Sequence, residues 1–437
     1  MKKVLLFALC LVFVASAASA NTINLWSFTD EVPRMAEVFK EMNPDFPYDF
    51  NVTIVATTDG AYQPALDQAL LGGGALAPDI YCAEAGFVLK YTQGDAARFA
   101  AAYKDLGIDV DTLIPAGEIA RYMYELGTRP SDGEVVGLGY QATGSALIYR
   151  RSIAKDVWGT DDPAVIKDKV GPGWQKFLEA AVELKEKGYA IVSGSGDVWK
   201  AVEHSSPRGW LNEDGKLYID PEREVMLDLA KELFDKGLMN DTQDWTDPWF
   251  ADMRDAGAQP VFAYLGPAWL INYVMAGNAG DTVGDWAICE PPRGFSWGGT
   301  WLIANKDVSD EVREGVAEFI KWVTLDTSDE GLQYMWANGT FPGSGGTKDT
   351  VGSGVVMAKS DGRIDFLGGQ DMFEVYIPAN AAAKGDHFTQ YDETIWLGPG
   401  MWRTQMNQYA YGQKSREQAI ADFKQNVYDT LDIEAAE

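Results

Sequence analysis

The chain has 437 residues, a net charge of −29, two histidines and three cysteines. A charge of that sign repels nucleic acid and anionic membranes, and so few imidazoles and thiolates exclude a disulfide scaffold and most catalytic zinc sites. The length favours two or three domains with a large buried core. We therefore expect no metal, no cofactor and no nucleic-acid partner.

The first twenty residues have the three parts of a secretory signal peptide. MKK precedes an apolar run, Val4 to Val14, and the small residues Ala15 to Ala20 follow it. Cys10 lies inside the apolar run, so we expect export without a lipid anchor and cleavage after Ala20. The best alternative for a membrane span is the uncharged stretch 256–280, but Gly266-Pro267 interrupts it and favours a buried strand followed by a buried helix.

Strands and helices then alternate along the chain. Segments 22–28, 50–56 and 78–84 predict strands, with one helix after Asp30 and another around 63–71 between them. This β-α-β-α-β order indicates a parallel sheet with helices on its faces. Cys82 and Cys289 lie in apolar, strand-like runs, which favours two buried thiols over the alternative, a disulfide formed in an oxidising compartment.

The alternation resumes in the second half. A helical pattern from Trp174 ends at Gly188, a strand follows at 189–192, and segment 300–304 predicts another strand. Asp220-Pro221 and the run from Ser415 to Gln418 have the residues that begin helices. The fold class is therefore α/β, and two α/β units fit the pattern better than one continuous sheet.

Aromatic and acidic residues recur where the predicted strands end. In open α/β sheets, ligands bind beyond the carboxyl ends of the strands. An indole can cover the C–H face of a sugar ring while carboxylates accept hydrogen bonds from its hydroxyls, and the same residues suit a polyamine through ion pairs and cation–π contacts. The strand-end candidates are Trp26, Phe28, Asp59, Glu84, Asp197, Trp199, Trp269 and Trp297.

Residues 294–299 read GFSWGG and match the G-x-S-x-G pattern of a serine nucleophile elbow. That elbow needs a helix after its turn, whereas 300–304 predicts a strand, so we expect no catalytic role for Ser296. The glycines would let the chain turn beside a cleft, with Trp297 and the N–H groups of Gly298 and Gly299 available to a ligand. A glycosidase needs only two suitably spaced carboxylates and remains an alternative.

In this order, several segments resemble the extracellular solute-binding proteins of ATP-binding cassette (ABC) importers, in particular the sugar-binding group that includes maltose-binding protein. The likeness covers essentially the whole mature chain and departs from the family at Arg150-Arg151 and at Phe28, where a polar residue is common. The segments that carry it are TINLWSFTDE, APDIYCAE, VVGLGYQATGSALIYRRSIAKDVWG, PVFAYLGPAWLIN, PPRGFSWGGTWLIANKDVSDEVREGVAEFIKWVT and YGQKSREQAIADF.

The resemblance implies a two-lobed periplasmic binding protein fold, in which each lobe has a mainly parallel sheet flanked by helices and the ligand lies between the lobes. Residues 1–20 would be the signal peptide, 21–138 and 293–341 the N-terminal lobe, and 139–292 and 342–437 the C-terminal lobe. It also implies a receptor that is not an enzyme, is a monomer in the periplasm and closes by hinge motion. Its implied partners are a small-molecule ligand and the permease subunits of a transporter in the inner membrane.

Carried over by position, the resemblance adds further site residues. Asp30 joins the opening loop, Gln141 and Thr143 come from the crossing segment, and Trp402 and Arg403 from the C-terminal part. Asp30 has a structural alternative as a helix cap, and Arg403 has one as a member of an ion pair. The expected ligand is a neutral carbohydrate or polyol; the alternative, a polyamine, needs Asp59, Glu84 and Asp197 to face one cleft.

Overall fold

The computed structural model describes residues 21–74, 77–204, 206–385 and 387–436. The predicted signal peptide lies outside the described residues, as does the side chain of Asp59. The strands are β1 Thr22–Ser27, β2 Asp49–Ile54, β3 Ile80–Glu84, β4 Thr128–Arg129, β5 Glu134–Val135, β6 Gly137–Gly139, β7 Ala146–Arg150, β8 Ala263–Gly266, β9 Trp286–Cys289 and β10 Thr300–Ala304.

Helices surround these strands. They are α1 Glu31–Met42, α2 Tyr62–Gly72, α3 Val88–Thr92, α4 Val110–Gly117, α5 Arg121–Leu126, α6 Arg151–Trp158, α7 Pro163–Val170, α8 Trp174–Glu186, α9 Trp199–Glu203, α10 Pro221–Asp235, α11 Asp247–Asp252, α12 Ala276–Asn278, α13 Arg313–Thr324, α14 Leu332–Asn338, α15 Gly354–Ala358, α16 Phe373–Ala382, α17 Asp392–Leu397, α18 Trp402–Ala410 and α19 Arg416–Leu431.

The first sheet has the order β2-β1-β3-β10-β6. β1 pairs in parallel with β2 and β3, while β10 is antiparallel to both β3 and β6. The carboxyl end of β3 therefore lies beside the amino end of β10, with Glu84 opposite Thr300. This register places residues that follow β3 next to residues that precede β10.

The second sheet repeats this design with one reversed strand. β7 pairs antiparallel with β8 and β9, so β8 and β9 run in the same direction. The predicted strand 189–192 contributes only isolated parallel bridges, Ala190 to Val261 and Val192 to Met239. The α/β class is as predicted, but this sheet is not mainly parallel among its named strands, because both of their pairings are antiparallel and only the isolated bridges are parallel.

Two connections join the sheets side by side. The segment from β6 to β7 and the segment from β9 to β10 pair through a bridge between Gly144 and Ser296. Backbone hydrogen bonds from Ser145 to Phe295 (2.9 Å) and from Trp297 to Thr143 (3.1 Å) extend this contact. We call the paired segments 143–145 and 295–297 the crossover ribbon.

Buried side chains form two hydrophobic clusters. One face of β1, Ile23 and Leu25, belongs to the larger cluster, and β7 divides its side chains, with Ile148 in the larger cluster and Leu147 in the smaller. Residues of 351–383 also pack in the larger cluster. The larger cluster contains residues of both sheets, so it does not mark where one lobe ends and the other begins. The predicted lobe boundaries therefore remain a prediction.

Other expectations can be compared directly with the structure. Cys82 and Cys289 are free and buried. Across the described ranges, no helix is long and apolar enough to cross a membrane; segment 263–278 forms β8, the π-helical turn Leu270–Met275 and α12. Asp30 precedes α1, but its side chain makes no capping hydrogen bond, so the capping interpretation was wrong.

Candidate functional site

A cleft lies where the two sheets and the C-terminal helices meet. It holds about 950 Å³ of space, its open mouth included. Glu84 and Gly86 come from the end of β3, Trp297 and Gly298 from the segment before β10, and Trp199 and Arg403 from the helices of the second cluster. Residues from distant parts of the sequence thus form one site.

Tryptophan rings form one wall of this cleft. Trp297 lines the cleft, and the indole N–H of Trp269 donates to its carbonyl oxygen at 2.8 Å. The Trp269 ring packs edge-on against Trp297, with centroids 4.8 Å apart, and is stacked with Trp245 at 6.2 Å and 16°. We call Trp245, Trp269 and Trp297 the aromatic wall.

Two glycines allow this packing. Gly298 and Gly299 have φ values of 77° and 103°, which favour glycine. A Cβ on Gly298 would lie 3.2 Å from the Trp269 indole nitrogen, and one on Gly299 would lie 3.3 Å from the Gln141 carbonyl oxygen. The chain can therefore turn beside Trp269 and continue into β10, as the GFSWGG segment predicted.

Carboxylates and two cations line the rest of the cleft. The acids are Glu84, Glu203, Asp244, Asp392 and Glu393, and the cations are Lys200 and Arg403. Lys200 pairs with Glu203 at 3.2 Å, and Arg403 makes a two-pronged ion pair with Asp244. Arg403 therefore fits the ion-pair alternative, although it also contacts the cleft.

Burial shifts the titration of several of these groups. Loss of solvent raises the pKa of Asp392 to about 7, against hydrogen bonds from Thr389 that lower it. Burial also raises the pKa of Glu84, and the nearby Glu393 carboxylate raises it further. Burial lowers the pKa of His204 well below its usual value, with Lys200 acting in the same direction, so this ring is neutral near pH 7.

Ser296 has a histidine neighbour that the sequence did not indicate. Its Oγ lies 3.5 Å from Nδ1 of His204, and its backbone N–H points to the same nitrogen at 3.4 Å. An activated serine needs a contact of about 2.6–3.2 Å to its base. Glu203 is 4.0 Å from the other ring nitrogen, and β10 rather than a helix follows the turn. The geometry of a nucleophile elbow is absent.

Five predicted residues line the cleft: Glu84, Trp199, Trp297, Gly298 and Arg403. Trp269 and Gly299 do not line it themselves; Trp269 packs against the lining rings of Trp245 and Trp297. Trp199 is only 3% exposed, and its ring already contacts Trp396, Lys200 and Arg403. Phe28 lines an adjoining cavity of about 1160 Å³, which shares Glu84, Gly86 and Glu393 with the cleft.

The other predicted residues lie elsewhere, each for a physical reason. Gln141 is buried and donates to Asp349 at 2.8 Å. Thr143 is buried in the crossover ribbon and donates to the Gly298 carbonyl oxygen at 3.0 Å. Asp197 is held by the Trp249 indole N–H at 2.8 Å. These side chains are already partnered and do not line the cleft.

Trp402, Trp26 and Asp30 also lie outside the cleft. Trp402 is 1% exposed and packs against Trp210 and Phe423 in the smaller cluster. Trp26 is half-buried on a face of the first sheet and does not line the cleft. Asp30 lines a separate cavity with Glu31. Asp59 is in the turn Thr58–Gly60, but its side chain lies outside the described residues.

Sequence reasoning missed Trp245, Phe388 and most of the acids. Trp245 follows no predicted strand, yet it is 51% exposed and faces Trp269 and Trp297. Glu393 and Asp392 begin a helix far along the chain from β3. The one available signal was a tryptophan, Trp245, outside every predicted helix and strand. The acids of α17 gave no such signal, because only the fold brings α17 to the end of β3.

Comparison with known families now decides the class of protein. Residues 26–330 match the model of the bacterial extracellular solute-binding protein family. The chain belongs to this family. A comparison with curated proteins finds no match for this solute-binding protein.

Solved structures show the same two-lobed fold. An extracellular solute-binding protein of family 1 has a TM-score of 0.74 at 18% identity, over 93% of this chain and 99% of that chain. An ABC transporter-associated binding protein from B. animalis subsp. lactis Bl-04, in complex with beta-1,6-galactobiose, has a TM-score of 0.64 at 19% identity, over 94% and 97%. The galacto-N-biose-/lacto-N-biose I-binding protein of Bifidobacterium longum, in complex with lacto-N-biose, has a TM-score of 0.67 at 14% identity, over 95% and 98%.

Proposed function

We propose that this solute-binding protein is a non-catalytic periplasmic receptor that captures a carbohydrate or polyol between its lobes and delivers it to an ABC permease. The single observation that supports a carbohydrate best is the aromatic wall beside a cleft rich in hydrogen-bond acceptors. A ring face can pack on indole while carboxylates accept from the hydroxyls at its edge. The sugar complexes of its structural neighbours agree with this class of ligand.

The crossover ribbon supports a hinge mechanism. Two paired segments, 143–145 and 295–297, connect the sheets, so a change of backbone angles there can move one sheet relative to the other without breaking either. A ligand that contacts both lobes favours the closed state because the open state lacks half of these contacts. As a monomer in the periplasm, the closed receptor would present the loaded cleft to its permease.

The polyamine alternative receives less support in its original form. It required Asp59, Glu84 and Asp197 together, but Asp197 is held by Trp249 and does not line the cleft. The glycosidase alternative rests on acids in the cleft, and it is tested by the same experiment as the receptor.

A thermal-shift panel of mono-, di- and oligosaccharides, polyols and polyamines tests the proposal. A ligand that binds only the folded state at one hundred times its Kd adds about 2.7 kcal/mol to the free energy of unfolding, so we expect a sugar or polyol to raise the Tm. Chromatography of the incubated sugar should recover it intact at stoichiometric binding. A shift with spermidine and none with any sugar or polyol contradicts the proposal, and accumulating sugar fragments would indicate a glycosidase.

A further inference from the structure

Three polar side chains form one corner of the cleft. Glu203 is the last residue of α9, His204 follows it, and Asp392 is the first residue of α17. The His204 ring packs on Phe388, with centroids 4.6 Å apart. The next residue, Thr389, bonds to Asp392. We call Glu203, His204 and Asp392 the polar corner; only the fold brings α9 and α17 together there.

Asp392 has a hydrogen-bond acceptor that the rest of the protein does not use. The residue is only 6% exposed, and its Oδ1 accepts from the Thr389 backbone N–H at 3.1 Å and from the Thr389 hydroxyl at 2.5 Å. Oδ2 is buried and, within the described ranges, has no hydrogen-bond partner. A buried acceptor without a donor is costly. Thr389 therefore fixes the carboxyl group and leaves Oδ2 for a donor from outside the protein.

His204 has the matching donor. Its Nδ1 faces the crossover ribbon, where the Ser296 N–H points to it at 3.4 Å. Burial lowers the pKa of the ring, so the ring is neutral and its single proton lies on Nε2. The Glu203 carboxylate is 4.0 Å from Nε2, too far for a hydrogen bond. In the described part of the chain, the Nε2–H group has no hydrogen-bond acceptor.

Cations of the protein already balance the acids around this corner. Lys200 pairs with Glu203 at 3.2 Å, and its charge also opposes the burial that raises the pKa of Glu84. Burial raises the pKa of Asp392 as well, and the charge of the fully buried Arg223 opposes that rise. The polar corner therefore needs no positive charge from a ligand.

A hydroxyl group fits one unused acceptor beside one unused donor. It donates one hydrogen bond and accepts another, whereas an ammonium group only donates and a carboxylate only accepts. Building on the proposed function, we propose that the polar corner binds one hydroxyl of the carbohydrate, which donates to Asp392 and accepts from the Nε2–H group of His204. The indoles of Trp245 and Trp297 line the same cleft and would hold a ring of the same ligand.

Deoxygenated sugars test this inference by isothermal titration calorimetry of the mature protein. Glucose, galactose, maltose, cellobiose and sorbitol are measured first, and each hydroxyl of the tightest binder is then replaced in turn by hydrogen. We expect one of these analogues to bind about 10–100-fold more weakly than its parent, because its loss leaves a charged acceptor and a donor unpaired. The other analogues should lose less affinity.

Asp392→Asn tests the acceptor. The two donors of Thr389 keep the amide oxygen of asparagine on the Oδ1 side, which places its NH2 group where the unused acceptor was. We expect this variant to weaken the parent sugar about tenfold and to reduce the effect of that one deoxygenation to about twofold. Asp281→Asn, at an exposed position in the turn Gly280–Thr282, is the matched control and should keep the wild-type values.

His204→Phe tests the donor. It removes the Nε2–H group but keeps a ring against Phe388, and it should give the same selective loss. Melting curves establish that each variant is folded, and either variant suffices. A merely structural role would weaken the parent sugar and all of its analogues by the same factor.

The outcomes separate the two proposals. If a parent sugar binds but neither variant changes the effect of any single deoxygenation, the hydroxyl inference is overturned and the receptor for carbohydrates stands. If neither the sugars nor sorbitol bind, with or without binding of spermidine, the proposed function itself is contradicted, and so is the inference that rests on it.

Discussion

At Trp245 the backbone has a φ of 63°, a left-handed conformation that a bulky side chain rarely adopts. Such strain costs about 1–3 kcal/mol and persists at ligand sites when the surroundings impose it. The preceding residue, Asp244, is buried and paired with Arg403, which holds the loop. The result is a half-exposed indole stacked on Trp269 at the mouth of the cleft.

Replacing this indole should affect ligand binding more than folding. We expect Trp245→Ala to weaken the sugar by about 1–2 kcal/mol, a factor of about 5–30, because stacking area is lost from a side chain that is already 51% exposed in the free protein. Calorimetry and melting curves measure the two effects separately.

Trp402→Ala is the informative contrast. This ring is buried between Trp210 and Phe423, so its removal should cost about 3–5 kcal/mol of unfolding free energy. If Trp402→Ala lowers affinity at unchanged stability, or Trp245→Ala does the reverse, the assignment of these two residues is wrong.

Ser415 and Asp30 both precede a helix and both have a side chain that can cap it, but only one of them makes the capping hydrogen bond. Ser415 accepts a hydrogen bond from the Gln418 N–H at the start of α19, at 3.2 Å. Asp30 precedes α1 in the same sequence position but has a helical φ and ψ and accepts no such bond. A capping residue normally has an extended backbone, which directs its side chain back to the first turn.

The difference predicts unequal costs of substitution. Ser415→Ala should lower the free energy of unfolding by about 1 kcal/mol, because one N–H of α19 loses its acceptor. Asp30→Ala should change it by less than about 0.5 kcal/mol. Urea unfolding of both variants measures these values, and equal losses would contradict the cap assignments.

Over the whole molecule, buried acids make stability depend on pH. Burial raises the pKa of Asp197 to about 7 and that of Asp349 to about 6, from usual values of 3.8. Between pH 3.8 and these folded pKa values, the folded protein holds protons that the unfolded chain releases. The stabilisation from these two acids is therefore greatest near pH 3.8 and is lost as the pH rises through their folded pKa values. His204, buried and neutral, acts in the opposite direction below its usual pKa of 6.5.

We therefore expect the free energy of unfolding to fall as the pH is raised from about 5.5 to about 8, since several raised acids outweigh one histidine. Denaturant unfolding at intermediate pH values follows this change. Because the net charge of −29 favours the same trend through surface repulsion, the series is repeated at high salt, which screens exposed charges but not buried ones. Greater stability at pH 8 than at pH 5.5 under both conditions would contradict the expectation.

Local patterns were sufficient to predict most elements. Ser415 and Asp220 begin helices, β10 spans the predicted residues 300–304, and the glycines of GFSWGG turn beside Trp269, because caps, alternation and turns depend on a few neighbouring residues. Glu84 ends β3 and lines the cleft, as the strand pattern predicted, because strand direction selects the edge of the sheet at which a strand's last residue lies.

Only the tertiary structure decided which side chains meet. Asp197, Gln141 and Thr143 occupy plausible positions but already have hydrogen-bond partners, while Glu393 reaches Glu84 from more than three hundred residues away. The sequence by itself determined the α/β class, the importer family resemblance and one edge of the cleft. Its opposite side depended on long-range packing of α17 and the Trp245 loop, which no local pattern records, because contacts between distant segments are set by how whole elements pack.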